Sequence, residues 1–352
     1  MISFYPGPSK VYEQIPKYVK DAYADGVMSI NHRSEEFMKI SSSTISLLKE
    51  KLFIPEDYTV FFASSATECW EIITQSLIDN TSYHFFNGAF GEKWFEYTKK
   101  LHKLSIGYRF NIEAELKIGD MDLSSEKGMI CITQNETSNG TRVSTKRIAK
   151  VRKQYPNHLI AVDATSSMGG VELKFADADV WYASVQKCFG LPAGMAVMIC
   201  SPQAIKKALE INERKHYNSL PFMIDKMQDW QTTYTPNVLN IYLLQRVLQK
   251  VKPIDEVHKK LKTRLKKHLK TVDKLKGMKL LVKNPRVRSH TVVPVSGEPE
   301  LIKRVKQKAK DEGFLLGNGY GSHKENTFRI ANFPAIKAKE MKALHEFLTA
   351  VD

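Results

Sequence analysis

The feature that most constrains this 352-residue chain is an alternation running from Tyr58 to Cys200. Short apolar, β-prone runs occupy residues 58–63, 83–86, 105–110, 129–133, 158–162, 180–185 and 195–200. Helical periodicity separates several of them, at 68–78, 93–101, 144–154 and 203–211. A helix between two strands carries the chain back to its start, so the next strand lies parallel to the last. The pattern predicts an α/β layer built on a mostly parallel sheet of seven strands. Sheets of this kind gather ligands at the carboxyl ends of their strands, so chemistry is sought just after each run.

Near Tyr242 the pattern changes. A helix at 238–250 leads into a basic helix, a β-prone run at 291–295, a helix at 299–312, a strand at 327–330 and a last helix at 337–350. This tail predicts a smaller α+β domain. The expected division is 15–245 for the large domain, and 1–14 with 246–352 for the small one. The first 45 residues read as irregular, with a turn at Pro6-Gly7-Pro8 and a polar knot at residues 30–34.

An apolar content of 42% with 10% aromatic residues predicts an ordered core. No apolar run nears the roughly 20 residues a membrane helix needs, and the N-terminus lacks the pattern of a signal peptide. Cys69, Cys131, Cys188 and Cys200 form no Cys-x-x-Cys pair. They suit reduced thiols in a cytoplasm, with neither a disulfide frame nor a metal site expected. The net charge of +15 admits a nucleic-acid partner or a field that draws anionic metabolites. Much of it lies at 246–283, where Leu261, Leu265 and Leu269 recur every four residues. An amphipathic helix with a solvated basic face accounts for that spacing without nucleic acid.

Several strand ends carry candidate chemistry. Lys187 follows the run 180–185 and precedes Gly190, Pro192 and Gly194. Alone it reads as a surface lysine; partly buried, it could lose its proton and attack an aldehyde carbon. Asp163 follows the run 158–162, where an acid caps a turn, binds a metal or faces a protonated ring nitrogen. The segment Ser64-Ser65-Ala66-Thr67 joins strand to helix and could cradle a phosphate, although an ordinary N-cap explains Ser64 or Ser65 equally. No Gly-x-x-x-x-Gly-Lys-Ser/Thr motif occurs, so P-loop nucleotide binding is not indicated. Phe90, flanked by Gly88 and Gly91, could lie on a bound ring or fill core. Thr137 sits in a donor-rich loop at 134–142. Arg329 interrupts an apolar strand, and its planar fork suits a carboxylate or phosphate. His32-Arg33 is a second anion candidate, and Tyr234-Thr235 forms a polar turn before a helix.

Taken in order, Phe4-Tyr5-Pro6-Gly7-Pro8, Asn31-His32-Arg33-Ser34, Asn135-Glu136-Thr137, Asp163, Val185-Gln186-Lys187 and Phe328-Arg329-Ile330 resemble the class V aminotransferase superfamily. Its members have the fold type I of pyridoxal 5′-phosphate enzymes, and the phosphoserine aminotransferase branch is the most similar. The resemblance implies a homodimer with shared active sites that moves an amino group between a small amino acid, phosphoserine or serine-like, and an oxo acid such as 2-oxoglutarate. It implies that Lys187 forms the aldimine and carries the proton, that Asp163 pairs with the pyridinium and that Thr137 bonds the ring hydroxyl. Phe90 would stack on the ring; the family often has tryptophan there, so Trp94 could contribute. Ser65, Ala66, Thr67 and Gln186 would hold the phosphate, with Ser166 as a helper. Tyr234 and Thr235 would reach the phosphate of the neighbouring subunit.

The same resemblance implies that Arg329 clamps the α-carboxylate, while His32 and Arg33 meet the side-chain phosphate. One segment departs from the pattern. Where bacterial phosphoserine enzymes carry a His-Arg pair before the carboxylate arginine, this chain reads Gly319-Tyr320-Gly321-Ser322-His323-Lys324-Glu325, with His323 and Lys324 as the substitutes. That departure keeps the alanine– or serine–glyoxylate aminotransferases open as an alternative. A cysteine desulfurase would need a loop cysteine in the C-terminal domain, and the last cysteine is Cys200.

Overall fold

All seven apolar runs become strands of one sheet in the computed structural model of the chain, which describes residues 1–102, 104–119, 123 and 128–351. The chain opens with β1 (Ile2–Phe4), α1 (Ile15–Ala24) and α2 (Glu35–Leu52). It continues with β2 (Thr59–Ala63), α3 (Ala66–Leu77), β3 (Ser82–Phe86), α4 (Ala89–Leu101), β4 (Ser105–Arg109) and β5 (Met129–Thr133). A short ribbon of β6 (Asn135–Glu136) and β7 (Thr141–Arg142) precedes α5 (Thr145–Gln154), β8 (Leu159–Asp163), β9 (Val180–Ser184) and β10 (Ala196–Cys200). Then come α6 (Pro202–Ile211), α7 (Leu220–Met227), α8 (Val238–Leu248) and α9 (Ile254–Val272). The tail holds β11 (Met278–Leu280), β12 (Val292–Gly297), α10 (Pro299–Asp311), β13 (Phe314–Asn318), β14 (Thr327–Ala331) and α11 (Ala338–Ala350).

The large sheet has the order β2-β10-β9-β8-β5-β3-β4. Only β10 runs against its neighbours; the pairings of β9, β8, β5, β3 and β4 are parallel. Both faces are covered, which is why the central strands read as unbroken apolar runs: every residue of β5, β8, β9 and β10 is buried. Helix starts follow local chemistry. Ser34, Ser65, Ser201 and Asn237 each accept a backbone N–H of the first turn, at 3.3, 3.0, 3.1 and 3.0 Å.

The second sheet has the order β1-β13-β14-β12-β11 and its own apolar core, which includes Phe4, Phe328, Phe333 and Leu344. Strand β1 pairs in parallel with β13 across nearly the whole length of the chain, Ile2 opposite Phe314. The basic helix α9 buries Ile254, Leu261, Leu265 and Val272 and exposes its lysines. Its one buried arginine, Arg264, donates to Asn332 Oδ1 at 2.6 Å and Phe333 O at 2.7 Å. Among the described residues no helix is long and apolar enough to cross a membrane, and all four cysteines are buried free thiols.

The expectation of an irregular first 45 residues is corrected. Helix α1 begins at a proline-tolerant first turn and buries Ile15, Tyr18 and Ala22. Helix α2 contains Ser41-Ser42-Ser43-Thr44, whose weak propensity hides the helix, yet it buries Phe37, Ile45, Leu48 and Leu52 and packs against α8. Tertiary burial outweighs propensity there.

Candidate active site

The carboxyl ends of the central strands share one level. Thr133 on β5 is in register with Asp163 on β8, and Asp163 with Tyr182 on β9. A cavity of about 730 Å³ opens above that rim, between the large sheet and the loop that joins β13 to β14. Lys187 lies just past β9 and is buried. Its loop is pinned by Ser9 N donating to Gln186 O at 3.0 Å and Gly190 N donating to Lys187 O at 3.0 Å. Gly7 closes on the lysine stem with a φ of +150°, and a Cβ there would lie 2.8 Å from Lys187 Cε. Only glycine admits both that backbone and that approach.

Lys187 Nζ donates to Thr137 Oγ1 at 2.9 Å and lies 5.2 Å from the centroid of the Phe90 ring. Burial pulls its pKa below the ordinary lysine value, against the attraction of Asp163 and Glu136. Thr137 Oγ1 donates onward to Ser166 Oγ at 2.8 Å, and Ser166 Oγ to Asn135 O at 2.8 Å. The chain of hydroxyls fixes the lone pair that receives Lys187. Asp163 Oδ1 accepts from Thr165 N at 2.8 Å. Burial raises its pKa above the usual carboxylate range, opposed by Thr165, by the charge of Lys187 and by Tyr182. Tyr182 is itself held by Trp70 Nε1, which donates to its hydroxyl at 2.8 Å.

Arg329 reaches the cavity from β14 and is buried. Nε donates to Asn318 O at 2.7 Å and Nη1 to Thr137 O at 2.8 Å, which fixes the guanidinium plane. Nη2 has no hydrogen-bond partner among the described residues. Burial lowers the pKa of the guanidinium from its ordinary value, and it remains a cation at any neutral pH. Tyr320 lies under it, ring centroid 5.6 Å from Cζ.

Ala66, Thr67, Phe90 and Thr137 all stand on the cavity wall, as do Asp163, Gln186, Lys187 and Arg329. Ser65 is the N-cap of α3 and lies off the wall, its Oγ accepting Glu68 N. Ser166 is fully buried behind Thr137. Tyr234 and exposed Thr235 lie outside the cavity of their own chain, as do His32 and Arg33. Arg33 Nη1 donates to Gln231 Oε1 at 2.7 Å. In the divergent loop the wall takes Lys324 and not His323. Trp94 is not beside Phe90: it is fully buried, edge-on to His84 and Tyr182 at 5.3 Å from each. On a helix a residue four positions on is displaced a full turn, here toward the sheet.

Sequence reasoning gave no role to Glu136, although it belongs to the Asn135-Glu136-Thr137 motif. Its Oε2 accepts Phe90 N at 3.2 Å and Gly91 N at 3.1 Å, and its Oε1 accepts Ser138 N at 2.9 Å and Ser138 Oγ at 2.6 Å. It ties the start of α4 to the loop that carries Thr137. The acid's position at a helix N-terminus is favourable to a negative charge, while burial raises its pKa. Lys93 and Tyr320 were also passed over, and no local pattern marks either.

Two wall residues keep a buried polar atom without a hydrogen-bond partner among the described residues: Thr133 Oγ1 and Gln186 Oε1. Native interiors seldom leave such atoms unpaired, so the wall is built for a polar ligand that supplies the missing bonds.

Comparison with known proteins gives the family. A sequence model described as aminotransferase class V matches residues 97–315. A phosphoserine aminotransferase from Rhodococcus opacus (strain B4) is 32% identical over 245 residues, covering 68% of this chain and 64% of the relative. The chain thus spans less than two thirds of the length of the first curated relatives it matches. An uncharacterized aminotransferase from Helicobacter pylori (strain J99) is 25% identical over 338 residues, 94% of this chain and 88% of the relative. Among solved structures, a phosphoserine aminotransferase from Cytophaga hutchinsonii superposes with a TM-score of 0.94 at 30% identity, covering 99% of this chain and 98% of that one. An alanine–glyoxylate aminotransferase from Nostoc sp. shares the fold, with a TM-score of 0.82 at 18% identity over 99% of this chain and 94% of that one. With the site and these matches together, the chain belongs to the class V aminotransferase family.

Proposed function

We propose that the protein is an aminotransferase that uses pyridoxal 5′-phosphate. The observation that carries the reading is the convergence of Lys187, Asp163 and Arg329 on one cavity, from the turn after β9, from β8 and from β14. The donors and acceptors fit the cofactor one by one. The phosphate would lie at the N-terminus of α3, against Ala66 and Thr67, with Gln186 beside it. Asp163 would accept the ring N–H, and a cation there offsets the burial that now raises its pKa. Thr137 would bond the ring hydroxyl, and Phe90 would cover one face.

When bound, the cofactor supplies an electrophilic aldehyde carbon and a ring that takes up the electron pair of the substrate Cα–H bond. The remaining work belongs to the chain. Lys187 would offer the amine that joins the aldehyde carbon, and its lowered pKa favours the neutral form. Its Nζ would then hold the proton taken from the substrate α-carbon. Arg329 offers Nη2 to the α-carboxylate while its other two nitrogens stay anchored. Tyr5 and Gly7 on one side and Tyr320 on the other line the cavity and limit water.

The amino donor is phosphoserine or a serine-like acid, and the acceptor is an oxo acid such as 2-oxoglutarate. The divergent loop at 319–325 favours a second reading, an alanine– or serine–glyoxylate type. The exposure of Thr235, with Tyr234 before it, supports a homodimer in which each subunit serves its neighbour's site, and four buried free thiols support a reducing, cytoplasmic location. A donor and acceptor screen tests the reading. Protein loaded with the cofactor absorbs in the visible, the right amino donor removes that band, and 2-oxoglutarate restores it. A protein that stays colourless with added cofactor would refute the assignment.

A further inference from the structure

The hydroxyl chain behind Lys187 continues past Asn135 into the segment that enters β12. Asn135, Ser289 and Thr291 are all buried, so their polar atoms find partners inside the protein. Thr291 N and Val292 N both donate to Ser289 Oγ, at 3.1 and 3.0 Å. A serine hydroxyl has two lone pairs and one proton. The proton is all that Ser289 has left, and it goes to Asn135 Oδ1 at 2.8 Å. That contact orients the amide of Asn135, whose Nδ2 donates to Ser166 Oγ at 3.0 Å and to Thr291 Oγ1 at 3.2 Å.

Ser166 Oγ in turn gives its proton to Asn135 O at 2.8 Å, a carbonyl that only accepts. One lone pair of Ser166 remains, and the Thr137 proton fills it at 2.8 Å. Ser166 is then saturated, with one bond given and two received. Thr137 Oγ1 is left with lone pairs alone to present to the cavity, and Lys187 Nζ takes one of them at 2.9 Å. Every proton direction in this relay follows from two backbone N–H groups, which only donate.

We infer that Ser166 is a positioning residue that holds the Thr137 proton away from the cavity, so that Thr137 meets Lys187 and the cofactor's ring oxygen as an acceptor only. This inference rests on the aminotransferase reading and sharpens it. It also replaces the phosphate role that the family resemblance implied for Ser166, whose side chain is off the cavity wall and has no bond left to give. An oxygen that only accepts favours the protonated form of the group it faces, whereas a donor favours the deprotonated form. Toward Lys187 it supports the ammonium against the burial that lowers its pKa. Toward the cofactor it leaves the charge on the ring oxygen without a proton from Thr137, so that oxygen keeps a stronger hold on its own.

The test removes the acceptor. In Ser166→Ala the Thr137 proton is free to turn into the cavity. The visible band of the protein loaded with pyridoxal 5′-phosphate, titrated against pH, should then have its midpoint lowered by about one pH unit, the effect of one charge-assisted hydrogen bond. Thr137→Val removes the proton and the lone pairs together, and its midpoint should stay level or fall. Competitive acetylation of the cofactor-free chain, read by peptide mass mapping, follows the protonation of Lys187 itself, whose midpoint should also fall in Ser166→Ala. A merely structural Ser166 would change the unfolding midpoint and leave both titrations in place. The inference fails if either titration midpoint stays or rises in Ser166→Ala. It also fails if Thr137→Val raises the midpoint of the band, since the hydroxyl would then be a donor; this variant decides alone should Ser166→Ala not fold. A wild-type chain that takes up no cofactor would refute the aminotransferase reading, and the labelling of Lys187 would still decide whether Ser166 directs Thr137.

Discussion

Replacing Arg329 by lysine keeps a positive charge in β14 and removes the planar fork. In the native site Nε and Nη1 are spent on Asn318 O and Thr137 O, at 2.7 and 2.8 Å, and Nη2 is left for substrate. A single ammonium cannot hold both carbonyls and a carboxylate in those directions. At least one charge-assisted hydrogen bond to substrate and one anchor are lost, each worth roughly 1.5–3 kcal/mol. Half of their sum reaching the bound state gives about 2 kcal/mol, on the order of a 30-fold fall in kcat/KM. Steady-state kinetics over a panel of amino donors measures it. Because every donor carries the α-carboxylate, the loss should be similar across the panel. A loss under fivefold, or one confined to a single donor, would refute the placement of the carboxylate at Arg329.

Three further outcomes follow from the geometry. Gly7→Ala places a methyl group 2.8 Å from Lys187 Cε on a backbone at φ +150°, so cofactor affinity should fall at least tenfold by fluorescence titration while the far-ultraviolet circular dichroism stays unchanged. Trp94→Ala opens a cavity in a fully buried site and should cost about 3–5 kcal/mol of stability in urea, whereas half-buried Phe90→Ala should cost far less and weaken the cofactor instead. Burial holds the pKa of His84 and His268 down at about 3. Unfolding restores the ordinary value near 6.5, so the unfolded chain takes up protons first. Stability is complete above that pH and is lost as pH falls, each histidine removing about 1.4 kcal/mol per pH unit until its folded pKa is reached. Urea midpoints from pH 7 to pH 5 should show this, with a shallower slope in His268→Gln.

The sheet was legible because both faces of β5, β8, β9 and β10 are buried, which leaves unbroken apolar runs in the sequence. Lys187, Asp163 and Thr137 were legible for the same reason: each follows such a run. What escaped reading depends on distant partners. Strand β1 exists only through Phe314 and its neighbours, and α2 through α8. Glu136 looks like a loop acid until α4 is folded onto it. Trp94 sits one helical turn from Phe90 in sequence and faces the sheet core in space. In the divergent loop the sequence offers His323 and Lys324 side by side, and only the fold brings Lys324 to the cavity wall. The basic helix gave the opposite case, since its four-residue leucine spacing states its own burial.

The central claim is that Lys187 is the residue joined to the cofactor. Borohydride reduction of the protein loaded with pyridoxal 5′-phosphate, followed by peptide mass mapping, tests it directly. The account predicts one phosphopyridoxyl adduct, on Lys187, and none in Lys187→Ala. An adduct on another lysine, or a Lys187→Ala protein that keeps its adduct and its colour, would contradict it.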